Sequence, residues 1–443
     1  MIQYNLKQTK MKLLKYLHIL IAVCCLNSFA QQTPANKQTE AFTIVGATAH
    51  IGNGTVIDNS LLIVEDGKIT VCTDATTTKI AYKGKIIQAE GKHIYPGFIA
   101  PNTTLGLQEI GAVRATNDTR EIGSMNPHIR SLIAYNAESK VVESMRPNGV
   151  LIGQITPRGG RISGTSSIVQ FDAWNWEDAA VKVDDAIHIN WPYSFSRGRW
   201  WLGEPRGLRP NKNYAKQVGD LSNFITSSKA YLVGSRDTQN LEYSAMEGLF
   251  NGSQKLFIHA DDEKAITDAV AFANEHGIKG VAIVGGYEAH KVGELLKNNN
   301  IGVLARRSHT TPEREDDDYD FPYKLAKLLV DQGVLVGLEN SGQMERANAR
   351  NLPFQAGTVA AHGLDKEEAL KLITSNTAKI LGIDKQLGTL EAGKDATFFV
   401  SEGDALDMRT NILTHTFING RSLSLESHQT TLWKRYSNKY KSN

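Results

Sequence analysis

From about residue 96 to about 381, short apolar runs alternate with longer stretches whose apolar residues recur every three or four positions. Val150–Ile155, Ile168–Phe171, Leu256–Ala260, Val281–Val284, Ile301–Ala305 and Val334–Leu338 read as strands. Lys264–His276, with Ile266, Val270 and Ala273 on one face, and Ala289–Asn298 read as helices between them. Repeated strand–helix units predict a parallel sheet with crossover helices, and periodicity alone does not separate a closed barrel from an open sheet. Asp365–Leu381 reads as one helix. Asp365 caps it, Glu368 completes a capping box, Leu370, Ile373, Ile380 and Leu381 give an apolar face, and Gly382 stops it.

The flanks follow a different pattern. Residues 41–95 show strand signals at Phe42–Ala47, alternation through Leu62 and Val64, and a tight Asp66-Gly67 turn before Lys68–Cys72. Past residue 386, Gly388 and Gly393 mark turns, and Phe398–Val400 reads as a strand. Both ends are therefore small β units. A length of 443 residues suits one large barrel with an appendage.

Residues 1–30 read as a cleavable leader. Lys7, Lys10, Lys12 and Lys15 precede an apolar stretch from Tyr16 to Leu26, and Ser28-Phe29-Ala30 offers small residues for cleavage after Ala30. The stretch is too short for a stable membrane span, so a secreted or periplasmic location is expected. Subtracting the leader's four lysines from the formal +2 leaves −2, which gives no electrostatic argument for nucleic acid. Cys24 and Cys25 leave with the leader. Cys72 alone remains, which excludes an internal disulfide.

Residues 94–106 read Ile-Tyr-Pro-Gly-Phe-Ile-Ala-Pro-Asn-Thr-Thr-Leu-Gly. Residues 388–398 read Gly-Thr-Leu-Glu-Ala-Gly-Lys-Asp-Ala-Thr-Phe. The first resembles the opening motif of the amidohydrolase superfamily, Pro-Gly-Phe-Ile-Asp-Ala-His-x-His-Leu-Gly. The second resembles that family's closing motif, Gly-x-Leu-x-x-Gly-Lys-x-Ala-Asp-Leu, with Thr397 in place of the aspartate. The likeness is to the imidazolonepropionase-like metal-dependent hydrolases. It implies an α/β fold, a distorted (β/α)8 barrel over 96–385, with 41–95 and 386–425 forming one composite β-sandwich. A Trp/Arg-rich segment near 172–210 reads as an insertion.

The resemblance also implies a site at the C-terminal ends of the barrel strands. The family places two histidines there from the first strand, one each from the fifth and sixth, and an aspartate from the eighth that binds metal and takes a proton from the attacking water. Here the first two positions fall on Asn102 and Thr104, the fifth on His259, the sixth on Gly285 and the eighth on Glu339. An amide and a hydroxyl are poor replacements for imidazole on zinc. His309, after the seventh strand, offers a substitute, so His259, His309 and Glu339 are the candidate metal set, with Glu339 the candidate catalytic carboxylate. The alternative is that each is an ordinary hydrogen-bonding group at a strand end.

Pro157–Thr165, rich in glycine with Arg158 and Arg161, reads either as a backbone nest for an anionic substrate group or as a flexible loop. Trp174, Trp176, Trp191, Trp200 and Trp201, near Arg197, Arg199, Arg206 and Arg209, suit a binding surface or a separate small core. The acidic run Glu313–Asp320 reads as a solvated loop.

The implied reaction is hydrolysis of non-peptide carbon–nitrogen bonds in small or cyclic amides, with zinc or another divalent metal as cofactor and a small molecule as ligand. The competing reading is a metal-free, non-catalytic binding subunit, as a homo-oligomer or paired with an active relative.

Overall fold

The computed structural model describes residues 33–198, 200–203, 207–236 and 238–441. The expected leader and its cleavage point lie outside the described residues. From Ala35 onward the chain forms one unit.

The first strands are β1 (Phe42–His50), β2 (Val56–Glu65), β3 (Lys68–Asp74), β4 (Lys85–Gln88) and β5 (His93–Pro96). The β2–β3 turn carries Asp66 at φ 48° and Gly67 at φ 77°, the left-handed pair that a two-residue hairpin requires. The barrel strands follow: β6 (Phe98–Thr103), β7 (Val150–Ile155), β8 (Ile162–Gln170) and β9 (Ala180–Asn190). A short hairpin comes next, β10 (Phe195–Arg197) and β11 (Leu208–Pro210). The barrel resumes with β12 (Lys255–Ala260), β13 (Val281–Gly285), β14 (Gly302–Ala305) and β15 (Val336–Leu338). The chain closes with β16 (Phe398–Ser401), β17 (Leu413–Ile418) and β18 (Arg421–Ser422).

The two ends of the chain meet in one sheet ordered β18-β17-β16-β5-β1-β2-β3, with β4 paired to β1. The join is antiparallel, Phe398 opposite Pro96 and Ser401 opposite His93. Phe42 stacks on Phe417 at 4.7 Å and Phe398 lies tilted against Phe417 at 4.9 Å, with Ile44, Leu62 and Val64 buried beside them.

The second sheet runs β15-β14-β13-β12-β9-β8-β7-β6, in chain order around a nearly closed barrel. Every neighbouring pair is parallel except those made by β8, which is antiparallel to both β7 and β9. The link from β7 to β8 is only Thr156–Arg161, too short for a crossover helix, so the chain must turn back. Gly159 and Gly160 supply the positive φ values, 85° and 64°. This corrects two sequence expectations. Ile162–Thr165 is strand, not loop, and Ala180–Asn190, inside the supposed insertion, is a barrel strand.

β15 and β6 do not pair with each other. The Leu338 N–H donates to the Leu372 carbonyl and the Ile99 N–H to the Ile373 carbonyl, both at 3.0 Å. Those two carbonyls fill the seam, and for that reason the single helix expected over 365–381 is two, Lys366–Lys371 and Ser375–Leu381. Asp365 does cap the first, accepting from the Glu367 and Glu368 N–H groups at 2.9 and 3.1 Å. Glu368 turns instead to Lys371 at 2.8 Å. Gly382, at φ 72°, ends the second.

Candidate functional site

A chain of polar side chains, buried except for the half-buried His259 at its end, runs around the barrel interior from Glu339 to His259. Its first link is Asn102, near the end of β6. Asn102 sits at φ 50°, a left-handed conformation that asparagine tolerates better than most residues. Its backbone N–H donates to Gln154 Oε1 at 3.1 Å, and its side-chain amide donates to Glu339 Oε2 at 3.2 Å. The Arg158 guanidinium donates to Asn102 Oδ1 at 2.8 Å and to its carbonyl at 2.7 Å. Arg158 also reaches Glu345 Oε2 at 3.2 Å. Glu345 in turn accepts from the Thr103 hydroxyl at 2.7 Å and from the Thr104 N–H at 2.6 Å and hydroxyl at 3.3 Å.

The two first-strand positions that the resemblance matches to metal ligands thus hold hydrogen-bond donors. Asn102 and Thr104 give hydrogen bonds to carboxylates, and the charge that answers those carboxylates is Arg158. Burial pushes the Glu339 carboxyl up, opposed by hydrogen bonds from Ser341, whose N–H donates at 2.5 Å, and by the positive charge of Arg158.

The other half of the chain is the part that sequence reasoning missed. Gln154 Nε2 donates to Asp185 Oδ2 at 2.7 Å, and the Ser166 hydroxyl donates to Asp185 Oδ1 at 2.7 Å. His188 Nε2 lies 2.9 Å from Ser166 Oγ, and His188 Nδ1 lies 3.0 Å from His259 Nε2. Donor counting orders these protons. With Asp185 ionised, Ser166 spends its one hydroxyl proton on it, so Ser166 Oγ accepts from His188 Nε2–H. His188 Nδ1 then accepts from His259 Nε2–H, and the lone pair of the His259 ring sits on Nδ1.

Burial holds His188 well below the ordinary histidine range, and the neighbouring His259 adds to this. Burial, with the charge of Arg158, pushes His259 down to about 3. Both rings are therefore neutral at pH 7. His259 lines a cavity of about 420 Å³ together with Arg161, Asn190, Trp191, Tyr193 and Asp261. Alternation was the available signal for His188, which stands between the buried Ile187 and Ile189 of β9.

The structure separates the candidate metal set. His259 and Glu339 belong to the same network, but His309 is exposed, with its Nε2 at 2.8 Å from the Thr358 hydroxyl on the helix Leu352–Ala361. Gly285 has φ 94°, and a Cβ there would lie 2.5 Å from Asp261 Oδ1, so no side chain fits that position without displacement. Among the described residues no group of three His, Cys, Asp or Glu is placed to hold a metal ion. The donor set does not fit the binuclear shell that the resemblance implies. Arg158 is committed to Asn102 and Glu345, whereas Arg161 lines the cavity and donates to the Asn190 carbonyl at 2.5 Å.

The tryptophans do not form one core. Trp191 is buried and donates to the Tyr214 hydroxyl at 3.0 Å, while Trp174 and Trp201 are exposed. The acidic run is tied down by ion pairs, among them Arg306–Glu313 at 2.5 Å and Lys324–Asp320 at 2.7 Å. Burial pushes the Cys72 thiol up to about 12, which leaves it unreactive.

Residues 241–423 match the model of the amidohydrolase family. The chain is 22% identical over 377 residues to the amidohydrolase tasK of Hapsidospora irregularis, covering 78% of this chain but only 38% of that protein. It is 22% identical over 384 residues to a 5-methylthioadenosine/S-adenosylhomocysteine deaminase of Bacillus cereus, covering 81% of this chain and 85% of the relative. The fold is similar to that of an amidohydrolase from Thermotoga maritima, with a TM-score of 0.75 at 23% identity, over 86% of this chain and 99% of that one. The likeness to the amidohydrolase family is thus one of sequence across residues 241–423 and of fold around them.

Proposed function

We propose that this protein hydrolyses a carbon–nitrogen bond in a small, non-peptide substrate, a cyclic amide or a ring-bound amine, at the barrel mouth beside His259. The observation that carries this reading is the chain Asp185–Ser166–His188–His259, which ends at a cavity. With its lone pair toward bound water His259 can act as general base, and because burial pushes its pKa down to about 3 it does so only if the proton is passed on at once. The proton it accepts on Nδ1 is matched by release of the Nε2 proton toward His188, then Ser166, then Asp185, so neither ring need hold a charge, and the reverse transfer returns a proton through His259 to the departing nitrogen as the C–N bond breaks. Arg161 in the same cavity is placed to meet an anionic or carbonyl group. The relatives named as deaminases add amino-purine nucleosides to the substrate classes worth assaying. Because the ligand positions hold Asn102, Thr104 and Gly285, no step here is routed through a metal.

A second reading, a binding subunit without turnover, is favoured by the same donor set. One experiment separates them. The purified chain, treated with a chelator and checked for metal content, is assayed on cyclic amides and amino-purine nucleosides. Under the first reading turnover survives chelation and falls about 100-fold or more in His259→Ala. Absence of turnover on every substrate class, with ligand binding retained, sinks the first reading in favour of the second. Activity that disappears with the metal would overturn the metal-free mechanism.

A further inference from the structure

The helix His428–Lys441 buries none of its residues. It is moored at its start, where the His428 N–H donates to the Glu143 carboxylate and the Ser427 N–H donates to the Thr430 hydroxyl at 2.8 Å. Along it Trp433, Tyr436 and Tyr440 are 66%, 53% and 69% exposed. At ~100° per residue, the spacing i, i+3, i+7 puts these three rings on one face, with Leu432 at its edge. Lys434, which pairs with Glu426 just before the helix, and Lys441 fall on one flank of that face, and Arg435 and Lys439 on the other. No Asp or Glu lies anywhere in the helix. Lys439 Nζ stands 5.4 Å from the Tyr440 ring and the Arg435 guanidinium 6.0 Å from the Tyr436 ring, which keeps cations at the border of the aromatic face.

We propose that this helix lies on an anionic lipid bilayer and holds the barrel at the membrane surface. Three features choose lipid over other occupants. The exposed rings are tryptophan and tyrosine, whose apolar bodies and polar tips suit the headgroup level. Cations on both flanks match lipid phosphates on either side of a helix lying flat. A second copy docking the same face by twofold symmetry would set cation against cation. The attachment is peripheral, since among the described residues no helix is long and apolar enough to cross a membrane.

The test uses the full chain with vesicles of phosphatidylcholine containing roughly one third phosphatidylglycerol, and with phosphatidylcholine alone. We expect flotation with the anionic vesicles, little with the neutral ones, and release at high salt. Replacing Lys434, Arg435, Lys439 and Lys441 by Gln should weaken partitioning ~fivefold per charge removed. Changing Trp433, Tyr436 and Tyr440 together to Ser should abolish it. The unfolding midpoint of each variant should match wild type, because the helix buries nothing. No flotation of the wild type, or flotation untouched by both variants, overturns the proposal. So does light scattering that shows a dimer broken by the aromatic variant without any vesicle binding.

Discussion

At His259 the physics of one side chain yields a pH signature. Its folded-state pKa, about 3, lies below the ordinary unfolded value near 6.5. Between those limits the unfolded chain binds the extra proton, so stability rises with pH. The contribution is fully present above pH 6.5 and is lost as pH falls toward 3, at up to ~1.4 kcal/mol per pH unit. Urea unfolding of wild type and His259→Gln across that window should show a shallower pH slope in the variant. Identical slopes would mean that the ring is solvated and the buried pair with His188 is wrong. Asn102 offers a complementary case. Asn102→Asp removes the donor to Glu339 and sets a second carboxylate against it. We expect a loss of about 2–4 kcal/mol, read by the same unfolding method.

Among the elements, what was legible in the sequence divides along physical lines. β12 and β13 stand within one residue of expectation, because Leu256–Ala260 and Val281–Val284 are apolar runs bounded by turn residues. β8 and β9 were not read as a pair, because Ile162–Gln170 is mostly small and polar yet fully buried, its hydroxyls satisfied inside the barrel. The His188–Ser166–Asp185 relay was hidden for the same reason. Sequence marks polar residues as exposed by default, and burial of a satisfied network depends on partners far along the chain. The helix break at Leu372–Thr374 was equally hidden, since its cause is two N–H groups on distant strands. The end of β13 carries a testable consequence. Gly285→Ala forces a side chain into φ 94° and against Asp261. It should cost about 1–3 kcal/mol. Gly285→His should fail to recruit zinc, because Asn102 and Thr104 supply no imidazole to complete a shell. A stable, zinc-loaded Gly285→His protein, seen by elemental analysis, would refute this.

On the scale of the whole molecule, one buried ion cluster joins parts that are far apart in sequence. Asp172, just past β8, accepts from the Arg146 guanidinium at 2.7 Å through Oδ1. Its Oδ2 accepts from Arg421 of β18 and from the Ala35 N–H, each at 2.9 Å. Arg421 also donates to the Asp172 carbonyl at 2.8 Å and to Gln170 Oε1 at 3.2 Å. Barrel, terminal sheet and the segment leading into β1 are thus fastened at one carboxylate that is almost fully buried. A buried pair of this kind gains little over a well-packed apolar replacement, yet removing one partner leaves the others charged and desolvated. Asp172→Ala should therefore destabilise by about 3–5 kcal/mol, more than removal of Arg421 alone, which leaves Asp172 still paired with Arg146. The loss should also loosen the ends of the chain. Amide exchange in β18 and around Ala35 should accelerate at denaturant levels where β12 and β13 stay protected. Uniform exchange across all these strands would show that the carboxylate adds general stability and does not fasten the terminal sheet to the barrel.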